Sequence, residues 1–233
     1  MKPSPEFVLQ QLEPHTVRIS TRKRQKLALS AEPDETLYLI RTGVFLVRAA
    51  WRDDRHQILS LLYPGDCIRS SAIPPLDGTE IAAATENGEV WRLRWSIARG
   101  LFEGDPDLAH HISDRLAEQT ARLALHNTII AGLTGDERVA ALMTEIALRV
   151  GKQTPAGIVF DMPLSRTDIA EHLALNADTV SRIVSRMRAS GLIAVAGRNR
   201  LVCRSIEALA YECPIAASIR RMHETASRRT LVA

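Results

Sequence analysis

Cysteine is scarce and poorly placed for chemistry. The 233-residue chain has three, Cys67, Cys203 and Cys213, far apart and in no C-x-x-C pattern. That spacing excludes a disulfide framework and the usual zinc and iron–sulfur ligand sets. The first residues, MKPSPEF, lack the apolar core of a signal peptide, and no stretch approaches the length of a membrane span. The expectation is a cytoplasmic protein with reduced thiols and no membrane partner. Catalytic signatures are missing as well: there is no G-x-S-x-G, no G-x-x-x-x-G-K-[ST] and no H-E-x-x-H. The chain is therefore not expected to be an enzyme. A strong net charge is also absent, at +3.

What is present is distributed unevenly. From Asn176 to Arg204 there is one acid, Asp178, against six arginines, Arg182, Arg186, Arg188, Arg198, Arg200 and Arg204. A local excess of that kind attracts phosphate, although a solvated basic surface has the same composition.

The chain reads in parts. Residues 1–104 hold short apolar runs split by Gly, Pro and Asn. Leu37 to Ile40 precedes Thr42-Gly43, Gln57 to Tyr63 stops at Pro64-Gly65-Asp66, and Glu86-Asn87-Gly88 separates Ile81 to Ala84 from Val90 to Trp95. This pattern predicts an antiparallel sandwich or barrel, with no run keeping a helical period. At 105–133, Asp105-Pro106 fits a helix start, and the segment has no Pro or Gly from there until Gly132. Ile112, Leu116, Gln119, Leu123, His126, Ile130 and Leu133 alternate in steps of four and three, a heptad seam. The seam predicts a parallel dimer contact; packing of the same stripe on the chain's own β domain is the alternative.

Residues 134–213 begin with Thr134-Gly135-Asp136-Glu137, a capping box, and the helix behind it runs to about Val150, ended by Gly151. Residues 152–162 read as a loop and a short strand. Ser165 then caps a short helix, with Asp168 three residues on, and Asn176 caps a second from Ala177 to about Ser190. Two short helices across so tight a turn make a helix-turn-helix. On the second, Val180, Ile183, Val184 and Met187 share one face; Asp178, Ser181, Arg182 and Ser185 lie opposite. Such an outer face suits a major-groove reader. An Arg fork fits guanine O6 and N7, so Arg182 is the expected base reader, and Asp178 can accept from cytosine N4. Ser181 can reach a base edge or a phosphate, and Thr179 and Ser185 complete the set. Arg186, Arg188, Arg198 and Arg200 are expected on phosphates, with Ser165 and Arg166 at the start of the first helix. After Gly191, Leu192 to Val195 and Leu201 to Arg204 read as a hairpin with a basic tip, a wing. The basic tail 214–233 reads as either a helix or a disordered arm.

The stretch from Pro163 to Ile193 closely resembles the DNA-binding module of the Crp/Fnr regulator family. Glu35 to Val47 and Gln57 to Asp66 look like parts of its cyclic-nucleotide-binding β-roll. Together these matches span about residues 15–212. The resemblance implies an α+β fold: an N-terminal antiparallel β-roll (jelly-roll-like), a long dimerisation helix and a C-terminal winged helix-turn-helix. It also implies a homodimer on palindromic double-stranded DNA, with RNA polymerase as a further partner. The Fnr branch carries Glu-x-x-Ser-Arg on the recognition helix, matched here by Asp178, Ser181 and Arg182, and a TGA-like half-site follows from that likeness.

The sensor's ligand is not readable. Cyclic-nucleotide binders of the family grip phosphate with an Arg-Ser-Ala cassette. Alignment on Glu89-Val90 puts Gly78-Thr79-Glu80 there, a carboxylate where an anion needs a cation. Cyclic AMP is thus not the expected effector, unless Arg69 with Ser70-Ser71 substitutes in a shifted loop. The iron–sulfur branch needs four cysteines clustered near the N-terminus, and none precedes Cys67. No histidine spacing marks a haem ligand, and haem stays open. A second reading treats the chain as a cyclic-nucleotide-like binding module whose helix-turn-helix contacts protein.

Overall fold

A computed structural model describes residues 10–27, 35–51, 55–72, 78–197 and 199–230, without the side chains of 72 and 224–230. The chain divides into two compact units, 1–121 with 229–233, and 122–228.

The first unit is built on two four-stranded sheets. One has the order β1 (Val17–Thr21), β8 (Gly88–Arg94), β3 (Thr36–Thr42), β6 (Cys67–Arg69). The other runs β2 (Lys26–Leu27), β7 (Glu80–Ala83), β4 (Phe45–Ala50), β5 (His56–Leu62). All their pairings are antiparallel. Alternation along β3 explains why its apolar run is nearly continuous. Tyr38 and Ile40 join Val90, Ile68, Phe45, Val47, Leu62 and Ile81 in a core shared by the two sheets. Leu37 and Leu39, on the opposite face, join Cys67, Trp91 and Leu93 under helical residues. A strand covered on both faces has no polar side to show. Gly43 turns the chain from β3 to β4 at φ +83°, and a Cβ there would lie 2.7 Å from Thr85 Oγ1.

One expectation fails in this unit. Residues 95–104 are not strand but helix α1, Trp95–Gly104. Trp95, Ala98, Leu101 and Phe102 fall on one helical face and pack on the second core. At ten residues the helix is too short for its period to stand out beside the strand it follows. Helix α2 is Pro106–Gly132, and Asp105 Oδ1 accepts from the backbone N–H groups of Asp107 and Leu108, each at 3.0 Å.

In the second unit, α3 (Gly135–Val150) starts at the Thr134–Glu137 capping box. A hairpin, β9 (Lys152–Thr154) and β10 (Gly157–Asp161), replaces the expected loop and single strand. Then follow α4 (Arg166–Leu173), α5 (Ala177–Ala189), the wing strands β11 (Ile193–Val195) and β12 (Arg200–Cys203), α6 (Ile206–Tyr211) and α7 (Ala216–Thr230). The sheet order is β11-β12-β10-β9, so the wing and the earlier hairpin form one surface. The tail is helical to Thr230, burying Ala216, Ile219 and His223.

Candidate nucleic-acid interface

Two caps set the helix-turn-helix. Ser165 Oγ accepts from Asp168 N–H at 3.1 Å while the Asp168 carboxylate accepts from Ser165 N–H at 2.8 Å. Asn176 Oδ1 accepts from Thr179 N–H at 2.7 Å. Between them Ala174 turns the chain in the left-handed region, φ 52° and ψ 48°. Leu175 N–H then donates to Ala170 O at 3.0 Å.

The apolar face of α5 is shut away. Val180, Ile183, Val184 and Met187 are all buried, each contributing on the order of 1.5–3 kcal/mol of transfer free energy. Two arginine contacts tie the pair to α3. Arg138, on α3, donates to Leu133 O at 2.8 Å and to Leu173 O at 3.0 Å, the second at the carbonyl end of α4. A cation there suits the helix dipole. Arg186, on α5, pairs with Asp136 at the start of α3. Arg138 lies outside every motif, and no spacing in the chain singles it out.

The opposite face of α5 is open. Asp178, Ser181, Arg182, Ser185, Arg186 and Arg188 are exposed and Thr179 is half-buried. The Arg182 guanidinium donates to Thr179 Oγ1 at 3.4 Å, an i,i+3 contact that steadies the fork without neutralising it. Ser181 and Ser185 hydroxyls donate to the carbonyls of Ala177 and Ser181, both at 2.8 Å. Their remaining lone pairs point outward as acceptors.

The expected phosphate contacts separate into two kinds. Arg166 is half-buried at the first turn of α4, and its neighbour is a second cation, Arg188. Burial first, then that like charge, hold Arg166 below the usual arginine range. Arg186 and Arg200 are instead already matched with acids. Arg200 faces Asp161 across β10 and β12 with two bonds of 3.0 and 3.3 Å, and this hydrogen bonding raises its pKa. Ser165 is half of the capping box, and Arg198 lies outside the described residues.

The seven heptad residues of α2 do not share one environment. Ile112 is buried in the first unit's second core and Leu116 packs partly against it. Gln119 and Leu133 are buried and Ile130 is half-buried. His126 stacks on His172 of α4, ring centroids 4.1 Å apart. Burial lowers the His126 pKa, opposed by a hydrogen bond with the His172 backbone. Leu123 alone of the seven is exposed, at 41%.

In the first unit, Arg69 pairs with Glu35 and lies 4.0 Å over the Trp95 ring. Glu80 pairs with Lys26, and Ser70 Oγ accepts from Thr36 N–H at 3.0 Å. Among the described residues no group of three or more His, Cys, Asp or Glu is arranged to hold a metal, and no helix is long and apolar enough to cross a membrane.

Comparison with known proteins agrees with this geometry. Residues 137–211 match the Crp-like helix-turn-helix domain. The chain is 25% identical to the "Anaerobic regulatory protein" of Pasteurella multocida over 76% of its own length and 65% of that protein's. It is 24% identical to a "Probable transcriptional activator" of Rhizobium leguminosarum bv. viciae, covering 86% of this chain and 83% of that one. The structure of FixK2 from Bradyrhizobium japonicum superposes with a TM-score of 0.72 at 25% identity, covering 85% of this chain and 97% of the other. The fold, the capped helix-turn-helix with its open polar face, and these likenesses agree: residues 137–211 form a Crp-like helix-turn-helix domain, and the chain is similar over most of its length to transcriptional regulators of the Crp/Fnr type.

Proposed function

We propose that this regulator binds a palindromic double-stranded site as a homodimer, with α5 in the major groove. The observation that carries the proposal is the division of α5: four apolar side chains buried on one face, and Asp178, Ser181, Arg182 and Ser185 exposed on the other. In this reading Arg182 takes guanine O6 and N7, Asp178 accepts from a neighbouring cytosine, and Ser181 accepts from a base amino group. Thr179 supports the Arg182 fork, and Ser185 lies further along the reading face. Arg166, Arg188 and Arg198 neutralise phosphates, and Ser165 sets the first helix against the backbone. Arg186 and Arg200 reach DNA only by sharing their acids.

Homodimerisation rests on a feature of α2. From Ala117 to Gly132 its exposed positions are Ala117, Thr120, Ala121, Leu123, Ala124, Asn127, Thr128, Ala131 and Gly132, and none is charged. A helix face meant for water carries Lys, Glu or Arg. Thr120 and Thr128 hydroxyls donate to Leu116 O and Ala124 O, which leaves the donors satisfied when the face is covered.

The sensor answers to something other than cyclic AMP. Arg69 is engaged by Glu35 and Trp95, and Glu80 occupies the aligned cassette. An effector-driven change in the first unit alters the spacing of the two recognition helices, the variable a palindromic operator reads. The protein works in the cytoplasm with RNA polymerase. Selection of bound duplexes from a random pool, followed by mobility shift, tests the DNA reading. Arg182→Ala is expected to lose sequence preference while remaining dimeric, and a retained preference refutes its role. Native mass spectrometry of freshly purified protein reads out the dimer and any retained haem or nucleotide.

A further inference from the structure

The open face of α2 has a finer pattern than absence of charge. Leu116, Leu123 and Ile130 recur every seven residues, and Thr120 and Asn127 fall four after the first two of them. In heptad terms the aliphatics hold d, Thr120 and Asn127 hold a, and Ala117, Ala124 and Ala131 hold e. The other flank, Gln119, His126 and Leu133, is half-buried or buried within the chain. The outward seam is therefore rotated by one position from the stripe expected from sequence. It shares Leu116, Leu123 and Ile130 with that stripe and exchanges the rest.

A polar residue at an a position fixes register and strand number in two-stranded coiled coils, at a cost in stability, and here both a positions of the face, Thr120 and Asn127, are polar. Thr120 has its hydroxyl proton bound within the helix. Among the described residues the Asn127 side chain finds no hydrogen-bond partner, and it is exposed. Its carboxamide carries two donors and an acceptor. Covered by an apolar partner, those groups lose water at about 1–3 kcal/mol. A two-fold axis along the seam removes the problem, because it sets Asn127 opposite Asn127 of the partner subunit, donor to acceptor. The alanines at e let the two helices approach closely, and an uncharged face gives a charged partner nothing to pair with.

We infer that Asn127 selects the partner: its carboxamide pairs with its own copy across the two-fold axis, which specifies a parallel, in-register homodimer of this chain. The inference rests on the homodimer reading above. Asn127 is exposed and away from the reading helix, so its replacement leaves each unit's fold in place, checked by circular dichroism. The test uses the full chain. Light scattering of the wild type is expected to show a dimer alone. Oxidised Asn127→Cys should give covalent dimers in high yield, and Asp107→Cys, off the seam, should not. Asn127→Leu should tighten self-association by about tenfold or more, equivalent to about 1.4 kcal/mol, while losing uniqueness, with species larger than the dimer in native mass spectra. A dimeric wild type whose Asn127→Cys fails to cross-link, or whose Asn127→Leu is a single dimer of unchanged affinity, overturns the role of Asn127 and leaves the homodimer standing. A wild type that stays monomeric at micromolar concentration overturns both.

Discussion

Gly151 ends α3 for a reason different from the one its type suggests. Its φ is −74° and ψ 149°, extended backbone open to any residue, so no left-handed cap is formed. What excludes a side chain is space: a Cβ would sit 2.2 Å from Ala147 O and 2.3 Å from Ile158 Cγ2. Gly151→Ala must push the helix end away from β10. The expected loss is about 2–4 kcal/mol of unfolding free energy, the range of overpacked and strained sites. Urea melts check it, and an unchanged midpoint refutes the steric account. Ala174 is the converse. It stands in the left-handed region, which disfavours any Cβ. Ala174→Gly is expected to stabilise by about 0.5–1 kcal/mol, after the greater unfolded-state entropy of glycine is subtracted. A decrease in the same melt speaks against strain at the turn. Neither feature is legible from the sequence, because both depend on where a neighbouring strand or turn places the backbone.

Short elements with their own caps were the legible ones. Thr134 with Glu137, Ser165 with Asp168, and Asn176 each form the bonds their spacing announces, because a cap is a contact within four residues. The side of α5 that faces water was equally readable from four apolar positions. The side of α2 left open was not, since two adjacent heptad stripes share Leu116, Leu123 and Ile130, and only the packed structure says which flank is covered within the chain. The tail's helix α7 was also out of reach, because only Ala216, Ile219 and a histidine, His223, dock it. His223 is 2% exposed, its Nδ1 has no hydrogen-bond partner, and burial together with Arg149 and Arg122 lowers its pKa to about 3. A depressed histidine pKa means that the folded state prefers the neutral ring. The stability it contributes is therefore fully present above about pH 6.5 and is lost as pH falls from there toward 3. His126, also lowered by burial, acts in the same direction. Between pH 6.5 and 5, where most carboxylates are still ionised, each such group adds a slope of at most about 1.4 kcal/mol per pH unit. His223→Leu should flatten that dependence for the second unit, read as the urea midpoint at the two pH values. Equal slopes in variant and wild type refute neutral burial of His223.

At the scale of the whole molecule, the proposed homodimer on a palindrome would double every phosphate contact, which makes salt dependence a sensitive measure of which arginines touch DNA. Each neutralised phosphate contributes about −0.9 to the slope of log affinity against log salt. Arg188 has a cation, Arg166, for a neighbour, whereas Arg200 is matched by Asp161. Arg188→Ala is therefore expected to reduce the magnitude of the slope by about two per dimer. Arg200→Ala should reduce it by less than half of that, because Asp161 already balances the Arg200 charge, and the carboxylate left behind acts only from a solvated, screened position. Arg182→Ala, a base contact, should leave the slope nearly unchanged while abolishing the preference for the selected site over random duplex. The three variants are distinguished by titrations at several salt concentrations on the same operator. Equal slope changes for Arg188→Ala and Arg200→Ala would show that the Asp161 pair opens on DNA. A slope change at Arg182 with specificity intact would move that residue from the base edge to the phosphate, and the reading function would have to be assigned to Asp178 and Ser181 instead.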